Sequence, residues 1–373
     1  INPVFIIDRR NPLVPEVASS TKTNFSRENI EIQFVSNDEV YYSLSEPILQ
    51  EEGFDSFDVL KLDLSQEKTM FKKAENNHIT LSGKHDSAVY YTVYAYSKDI
   101  SGNCSDIISY SAIIDSKNYY IDSSVDKSVS HLGTKFDPYP TIDEAVKNAK
   151  SSNVSFYLKG NFTISNPISI FADCKIIGED NTRLNFTSNS QLTIENANVS
   201  VENCIFVKQV PQTGDVIQKN LLRVYNSVFS AQNCEFVCYF DYSGSCVSAK
   251  ESTISFENSG LSIYASAYAS AINAEDSLIK LQGLRINSSA KTAVGISAAN
   301  NSCIIDNSEI NVIGSYTRAC EFLSVVWNIQ NATLTSQNAI KPQSAIWMDS
   351  LSTKNVDFKN KIKGFTSLYI QAN

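Results

Sequence analysis

A short phrase recurs between Val199 and Phe358, and it limits the possible fold more than any other feature of this chain. The phrase reads apolar, any, apolar, any, Asn, any, any, apolar, with Gly once in place of Asn. Its anchor positions recur every 24 to 30 residues and are Asn203, Asn233, Asn258, Gly283, Asn307, Asn331 and Asn355. A fixed period of this size predicts stacked structural units, each of which contacts only its neighbours.

The alternation of apolar residues around each anchor predicts β-strands, because every second side chain of a strand points to the same face. A second alternating segment lies about ten residues before each anchor, as at Leu222 and Val224, and a third strand follows the anchor. Parallel stacking of such coils, roughly 4.8 Å apart, lines up equivalent residues in columns. We therefore expect a column of anchor residues with left-handed backbone, whose Asn side chains hydrogen-bond along the stack.

From about Asn118 to its end, the chain resembles right-handed parallel β-helices of the pectate-lyase-like class. That resemblance implies three-strand coils of this length, often with an Asn ladder at one turn. It predicts a fold and leaves activity open, because fold does not imply function.

Residues 1–116 lack the repeat and show short alternating strands, including Ile30–Phe34, Val40–Ser43 and Ala88–Tyr96. The segments EVYYSL at 39–44 and YYTVYAYSKDISGNCS at 90–105 resemble the Ig-like domains of bacterial chitobiases and surface proteins. We therefore predict a β-sandwich over 1–116 and the β-helix over 117–373. Because Pro3–Asp8 repeats the pattern of Tyr110–Asp115, we expect a longer protein with further Ig-like domains upstream.

The junction carries a helix signal. Gly133–Ala149 resembles the segment that leads into many bacterial β-helices, and Thr141 with Glu144 matches a capping box. We expect a short helix that covers the open first coil, whose unpaired edge would otherwise template aggregation.

Composition and charge narrow the partners. A net charge of −9 argues against nucleic acid and anionic membranes as main ligands, and no apolar run reaches the roughly 20 residues of a spanning helix. The sequence contains no CxxC pair of the kind that binds metals, and we expect no metal or cofactor. Cys303 and Cys320 are predicted to be buried thiols, while a Cys238–Cys246 disulfide stays an open alternative. The domain resemblance implies an extracellular or cell-surface location.

Weak candidates for catalysis are Glu275, Glu321, Asp215 and Asp241. Glu275 and Glu321 are expected on the outer face of the strands that lie about ten residues before the anchors. Their expected separation is about 12 Å, which is farther than glycoside hydrolysis by paired carboxylates requires. Asp215 and Asp241 lie in the two longest predicted loops, Lys208–Asn220 and Cys238–Cys246. The motifs of polygalacturonases and pectate lyases do not occur, and all three histidines precede the repeats.

Aromatic and basic residues on the same face are the best indication of function, because flat rings stack on sugars. The predicted ligand-binding residues are Arg223, Tyr225, Tyr242, Lys250 and Trp347. We interpret the chain as an exported, adhesin-like surface protein that binds a glycan or host-surface ligand without catalysis. The alternatives are a divergent polysaccharide lyase or glycoside hydrolase, which a tight acid cluster would favour, and a structural stalk, which a uniformly polar face would favour.

Overall fold

The computed structural model describes residues 9–21, 23–45, 48–50, 70–84, 87–149, 152–179, 182–210, 219–340, 343–356 and 359–371. The repeated segment Pro3–Asp8, the candidate Asp215 and the apolar position Phe358 lie outside these residues. The chain divides into two compact units, Ile1–Asn118 and Tyr119–Asn373.

Two sheets form the N-terminal unit. The three-stranded sheet contains Glu16–Ser19, Ile30–Val35 and His78–Leu81. The six-stranded sheet contains Phe25–Ser26, Glu39–Leu44, Ile48–Gln50, Lys72–Lys73, Ala88–Lys98 and Ile108–Ile114. Strict alternation along Ile30–Val35 buries Ile32 and Phe34, which join Val93 and Ala112 of the other sheet in one hydrophobic cluster. Burial from both sheets gives this unit its own core.

The second unit is a parallel β-solenoid of the right-handed type, built from three sheets. The anchor sheet is the one whose strands end at the anchors. The following sheet contains the strand that comes after the anchor in each coil, and the leading sheet contains the strand that comes before the anchor strand. The anchor sheet contains Asn118–Asp122, Val154–Lys159, Cys174–Gly178, Asn198–Glu202, Val228–Gln232, Thr253–Glu257, Leu278–Gln282, Ser302–Asp306, Val326–Gln330 and Thr353–Val356. The following sheet contains Asn161–Ile164, Arg183–Phe186, Ile205–Gln209, Glu235–Tyr239, Gly260–Tyr264, Arg285–Ser289, Glu309–Ile313, Thr333–Gln337 and Lys361–Lys363. The leading sheet contains Ile168–Ile170, Leu192–Glu195, Asn220–Tyr225, Ser243–Lys250, Tyr268–Glu275, Thr292–Ala299, Tyr316–Leu323, Ser344–Met348 and Ser367–Gln371.

Identical register from coil to coil builds the solenoid core. The inward column of the anchor sheet pairs Phe229 with Ile254 and Ala231 with Phe256, as the repeat predicts. In the following sheet Phe206 stacks on Phe236, with ring centroids 4.7 Å apart. Inward side chains therefore contact both their own coil and the next one, which is why the period appears in the sequence.

Left-handed backbone closes two turns of most coils. The anchors Asn203, Asn233, Asn258, Gly283, Asn307 and Asn331 all have φ between 47° and 62°. A second turn, between the leading and anchor sheets, has φ between 45° and 55° at Asn196, Asn226, Glu251, Asp276, Asn300 and Ser324. The anchor prediction is confirmed at six positions, and the second left-handed turn was not predicted.

The hydrogen-bond ladder differs from the prediction. Between anchor side chains the structure gives one long contact, 3.4 Å from Asn233 Nδ2 to Asn203 Oδ1. Shorter bonds lie one residue beyond the left-handed position of both turns: at the second turn the hydroxyl of Ser252 accepts from the Ser227 N–H (3.2 Å), and at the anchor turn that of Ser259 accepts from the Cys234 N–H (3.1 Å). A buried backbone donor left by each turn is thus satisfied by the next coil.

The prediction of a seventh anchor at Asn355 is wrong. Asn355 lies inside a strand, opposite Asn328, and Leu351, its predicted apolar partner, is 73% exposed. The last coil is longer than the four coils before it, since Val326 pairs with Thr353.

The predicted loop at Cys238–Cys246 is also wrong. Both cysteines lie in strands, Glu235–Tyr239 and Ser243–Lys250, joined by a three-residue corner. All eight cysteines are free thiols, and Cys303 and Cys320 are fully buried, as expected.

A helix spans Ile142–Asn148, and the Thr141 hydroxyl accepts from the Glu144 N–H at 3.3 Å. Ile142 and Ala145 belong to the same hydrophobic cluster as the first coils. Among the described residues no helix has the length and apolar character needed to cross a membrane.

Substitution of a core residue tests the predicted inward register. Phe256 is 1% exposed and contacts the rings of Phe229 and Phe236. Phe256→Ala should therefore lower the free energy of unfolding by about 3–5 kcal/mol, measured by denaturant titration. The matched surface variant Phe136→Ala, on a side chain that is 64% exposed, should change it by less than about 0.5 kcal/mol. Equal effects would contradict the register.

One buried lysine makes stability depend on pH. Lys208 faces the core, donates to the Ser190 carbonyl at 2.6 Å, and burial lowers its pKa from 10.5 to about 8. The unfolded chain keeps this charge to about pH 10.5, so the folded state is penalised below pH 8 and relieved as pH rises from about 8 to 10.5.

Lys208→Met should accordingly stabilise the protein at pH 7 by about 1–3 kcal/mol, and the advantage should shrink toward pH 10. Unfolding titrations at pH 7, 8.5 and 10 would measure the difference, with the exposed Lys219→Met as control. A pH-independent difference would contradict the assigned penalty.

Candidate functional site

The outer surface of the leading sheet, here called the leading face, presents two columns of side chains. The first column contains Arg223, Ser248, Asn273, Ser297, Glu321 and Trp347. The second contains Tyr225, Lys250, Glu275, Ala299 and Leu323. The residues between them, such as Val224 and Ala249, are buried. The alternation that places these residues outward was readable from the sequence.

Four residues come together at one end of this face and form what we call the upper cluster: Tyr268, Arg318, Glu321 and Trp347. Arg318 Nη1 donates to Glu321 Oε1 at 2.6 Å, and the guanidinium carbon lies 4.9 Å from the Trp347 ring centroid. An Arg held by a carboxylate and stacked on an indole is fixed in orientation, because both contacts restrict the same planar group.

Tyr268 completes the upper cluster from two coils below Glu321. Burial raises the pKa of Tyr268, and the nearby Glu321 charge raises it further, while the hydroxyls of Ser270 and Ser297 and the Arg318 charge act in the opposite direction. The phenol therefore stays protonated near neutral pH and can donate a hydrogen bond among these groups.

The lower part of the leading face carries an ion pair. Lys250 Nζ lies 3.4 Å from Glu275 Oε2, and the Glu275 charge is the main reason that the pKa of Lys250 is raised. Both side chains are about half exposed, so the pair contributes little to stability. Arg223 is exposed, and among the described residues it has no ion-pair partner. Tyr225, in register with Lys250, is half-buried.

Of the predicted catalytic acids, Glu275, Glu321 and Asp241 lie within the described residues, and the structure does not bring these three together. Glu275 and Glu321 lie in different columns two coils apart, which corresponds to roughly 12 Å. Each is paired with a cation, Lys250 or Arg318. Asp241 is exposed at a corner, where its carbonyl accepts from Ser266.

Two further acids, Glu251 and Asp276, occupy adjacent coils at the second turn and lie close enough to Lys250 to contribute to its raised pKa. Within the described ranges, no group of three His, Cys, Asp or Glu residues could hold a metal ion.

Tyr242 falls outside both columns. It is 73% exposed in the corner after Tyr239, and its carbonyl accepts from the N–H of Ala267 at 2.9 Å. Tyr239 instead stacks on Tyr264, with centroids 5.0 Å apart. Tyr239 and Tyr264 end strands of the following sheet, so this stacked pair is not part of either column of the leading face.

Arg318 was missed by sequence reasoning. It lies three residues before Glu321, where the leading strands are eight residues long and three consecutive residues, as at 245–247, are buried. Strict alternation fails there. A guanidinium three positions from a carboxylate was the available signal.

No protein-family model matches the chain, and no curated protein matches it. Among solved structures, a pectin methylesterase from Aspergillus niger is 13% identical with a TM-score of 0.39, covering 69% of this chain and 91% of that one. A pectate lyase is 12% identical with a TM-score of 0.33, covering 69% and 78%. The catalytic domain of an alpha-1,3-glucanase is 11% identical with a TM-score of 0.28, covering 88% and 75%. These enzymes are distant from this chain in sequence.

The upper cluster can be tested without a ligand. Trp347 is half-buried beneath Arg318, whereas Trp327, the other tryptophan, is 1% exposed. Arg318→Ala should increase acrylamide quenching of tryptophan fluorescence, because the guanidinium no longer covers the Trp347 ring. Lys250→Ala removes a cation elsewhere on the face and should leave quenching unchanged. Trp347→Phe assigns the signal, and unchanged quenching in Arg318→Ala would refute the stacked arrangement.

Proposed function

We propose that the leading face binds an acidic glycan and that the protein acts as an exported surface protein without catalysis. The upper cluster carries this proposal. It fixes an indole ring and a guanidinium against each other on the sheet before any ligand arrives, which lowers the ordering cost of binding.

The extent of the face suits a polymer. From Arg223 to Trp347 the first column crosses five coil steps, roughly 24 Å, enough for several consecutive sugar rings. Tyr225 and Trp347 offer ring surface to the apolar faces of sugars, near opposite ends of this span.

The basic groups favour a ligand with carboxylate or sulfate groups. Arg223 is exposed and free of an ion pair in the described chain, so it can accept a ligand anion directly. Arg318 uses one edge of its guanidinium for Glu321 and has further N–H donors.

The spacing of the acids in the two columns of the leading face supports binding without turnover. Direct displacement at a glycosidic bond uses two carboxyl groups about 5–9.5 Å apart, and Glu275 with Glu321 do not meet that spacing. Both also lie beside a cation, which leaves neither as a solitary base.

The remaining parts of the proposal concern the N-terminal unit and the location. We propose that residues 1–116 form an Ig-like spacer, supported by the YYTVYAYSKDISGNCS segment and by the unit's own core. We propose that the helix Ile142–Asn148 covers the first coil, since Ile142 and Ala145 share its hydrophobic cluster. The extracellular location and further upstream Ig-like domains rest on the sequence resemblance.

A glycan array with uronic, sulfated and neutral glycans tests the proposal. We expect binding to acidic members, weakened by Trp347→Ala by about 2 kcal/mol or more, as for removal of an aromatic hot spot. Phe136→Ala removes a more exposed aromatic side chain outside the leading sheet and should bind as the unchanged protein does.

Two outcomes would refute the proposal. One is the absence of binding to any acidic glycan by the folded protein. The other is release of unsaturated or reducing ends from uronic-acid polymers that is abolished by Glu275→Gln or Asp241→Asn, which would establish the enzyme alternative.

A further inference from the structure

A groove of about 470 Å³ runs over the outer surface of the anchor sheet, on a different sheet from the leading face. Its outward column alternates acid and amide along five coils and contains Glu202, Gln232, Glu257, Gln282 and Asp306. Neighbouring coils are roughly 4.8 Å apart, so carboxylates recur about every 9.6 Å with an amide between them.

The centre of this groove has unused hydrogen-bonding capacity. Gln232, Glu257 and Gln282 lie on three consecutive coils and are exposed, and among the described residues their side chains have no hydrogen-bond partner. The flanking acids are engaged, Glu202 with Lys175 at 2.8 Å and Asp306 with the Asn331 amide at 3.0 Å. Free donors and acceptors are therefore concentrated at the middle of the groove.

The charges indicate a ligand without net charge. Lys280 is the one cation among the described residues that line the groove, and it lies one coil from Glu257 on the neighbouring column. A polyanion would meet the carboxylates of Glu257 and Asp306, while Lys175 beside Glu202 and Lys280 near Glu257 offset much of the negative charge that would attract a polycation. A neutral chain of hydroxyl groups fits both, because each hydroxyl can donate to a carboxylate and accept from an amide or ammonium group.

We propose that this groove is a second binding site, which takes a neutral polysaccharide lying along the solenoid axis. Glu257 accepts from sugar hydroxyls, and Gln232 and Gln282 bind the rings on either side of it. The site does not depend on the function proposed for the leading face, with which it shares no residue.

Affinity electrophoresis tests this site, with soluble glucan, mannan, xylan and dextran as neutral probes, polygalacturonate as anionic probe and chitosan as cationic probe. At least one neutral polysaccharide should retard the protein, and Glu257→Ala should raise its dissociation constant about tenfold or more. Gln282→Ala should weaken it less. Glu309→Ala, at an exposed acid of the following sheet, should bind as the unchanged protein does.

Glu257, Gln282 and Glu309 are exposed, so the thermal midpoints of their variants should not change and serve as the check of folding. The proposal is overturned if no neutral polysaccharide retards the protein, if only chitosan does, or if retardation is lost in Trp347→Ala and kept in Glu257→Ala. The last result would place neutral-glycan binding on the leading face and leave the function proposed there to be revised separately.

Discussion

Parallel register between coils is the constraint on which the rest of this solenoid depends. Each strand donates to the next coil over its whole length, and each coil must therefore turn at the same positions as its neighbours. Left-handed backbone at the anchors and at the second turn provides those turns, and Asn or Gly reduces their steric cost. Where Gly283 replaces Asn, an added Cβ would lie 2.7 Å from Asn258 Oδ1, so the neighbouring anchor already fills that space.

Register also determines what the surface can carry. Any outward residue has an equivalent residue roughly 4.8 Å above and below it, close enough for like charges to repel. Lys250 beside Glu275, and the acid and amide alternation around Glu257, both avoid that repulsion. Inside the solenoid the same rule favours apolar columns, and Lys208 departs from it at a cost that a single bond to the Ser190 carbonyl only partly offsets.

The period made the coils, the inward columns and the Lys250–Glu275 neighbourhood predictable from the sequence. It could not predict the register of the last coil. Extra residues before Thr353 shift that register, yet an Asn still stands at position 355, where the period places an anchor. It could not give the ladder, because the bonding atoms belong to serines whose spacing follows that of the anchors. The period could not predict the position of Arg318, because strict alternation ends where the leading strands lengthen. Its contact with Glu321 depends on the length and conformation of the two side chains.

The same geometry bears on whether a solenoid like this binds or catalyses. Carboxyl groups about 5 Å apart, as nucleophilic glycoside hydrolysis uses, would require acids on adjacent coils of one column, and such a pair repels unless a substrate or cation intervenes. On the leading and anchor sheets, Glu275, Glu321, Glu257 and Asp306 are each followed on the next coil by a residue without negative charge, whereas Glu251 and Asp276 at the second turn lie on adjacent coils. Spacing of that kind stabilises the stack and spreads hydrogen-bonding groups evenly along its axis. An extended polymer can use an even row of contacts, whereas bond cleavage needs them concentrated at one point.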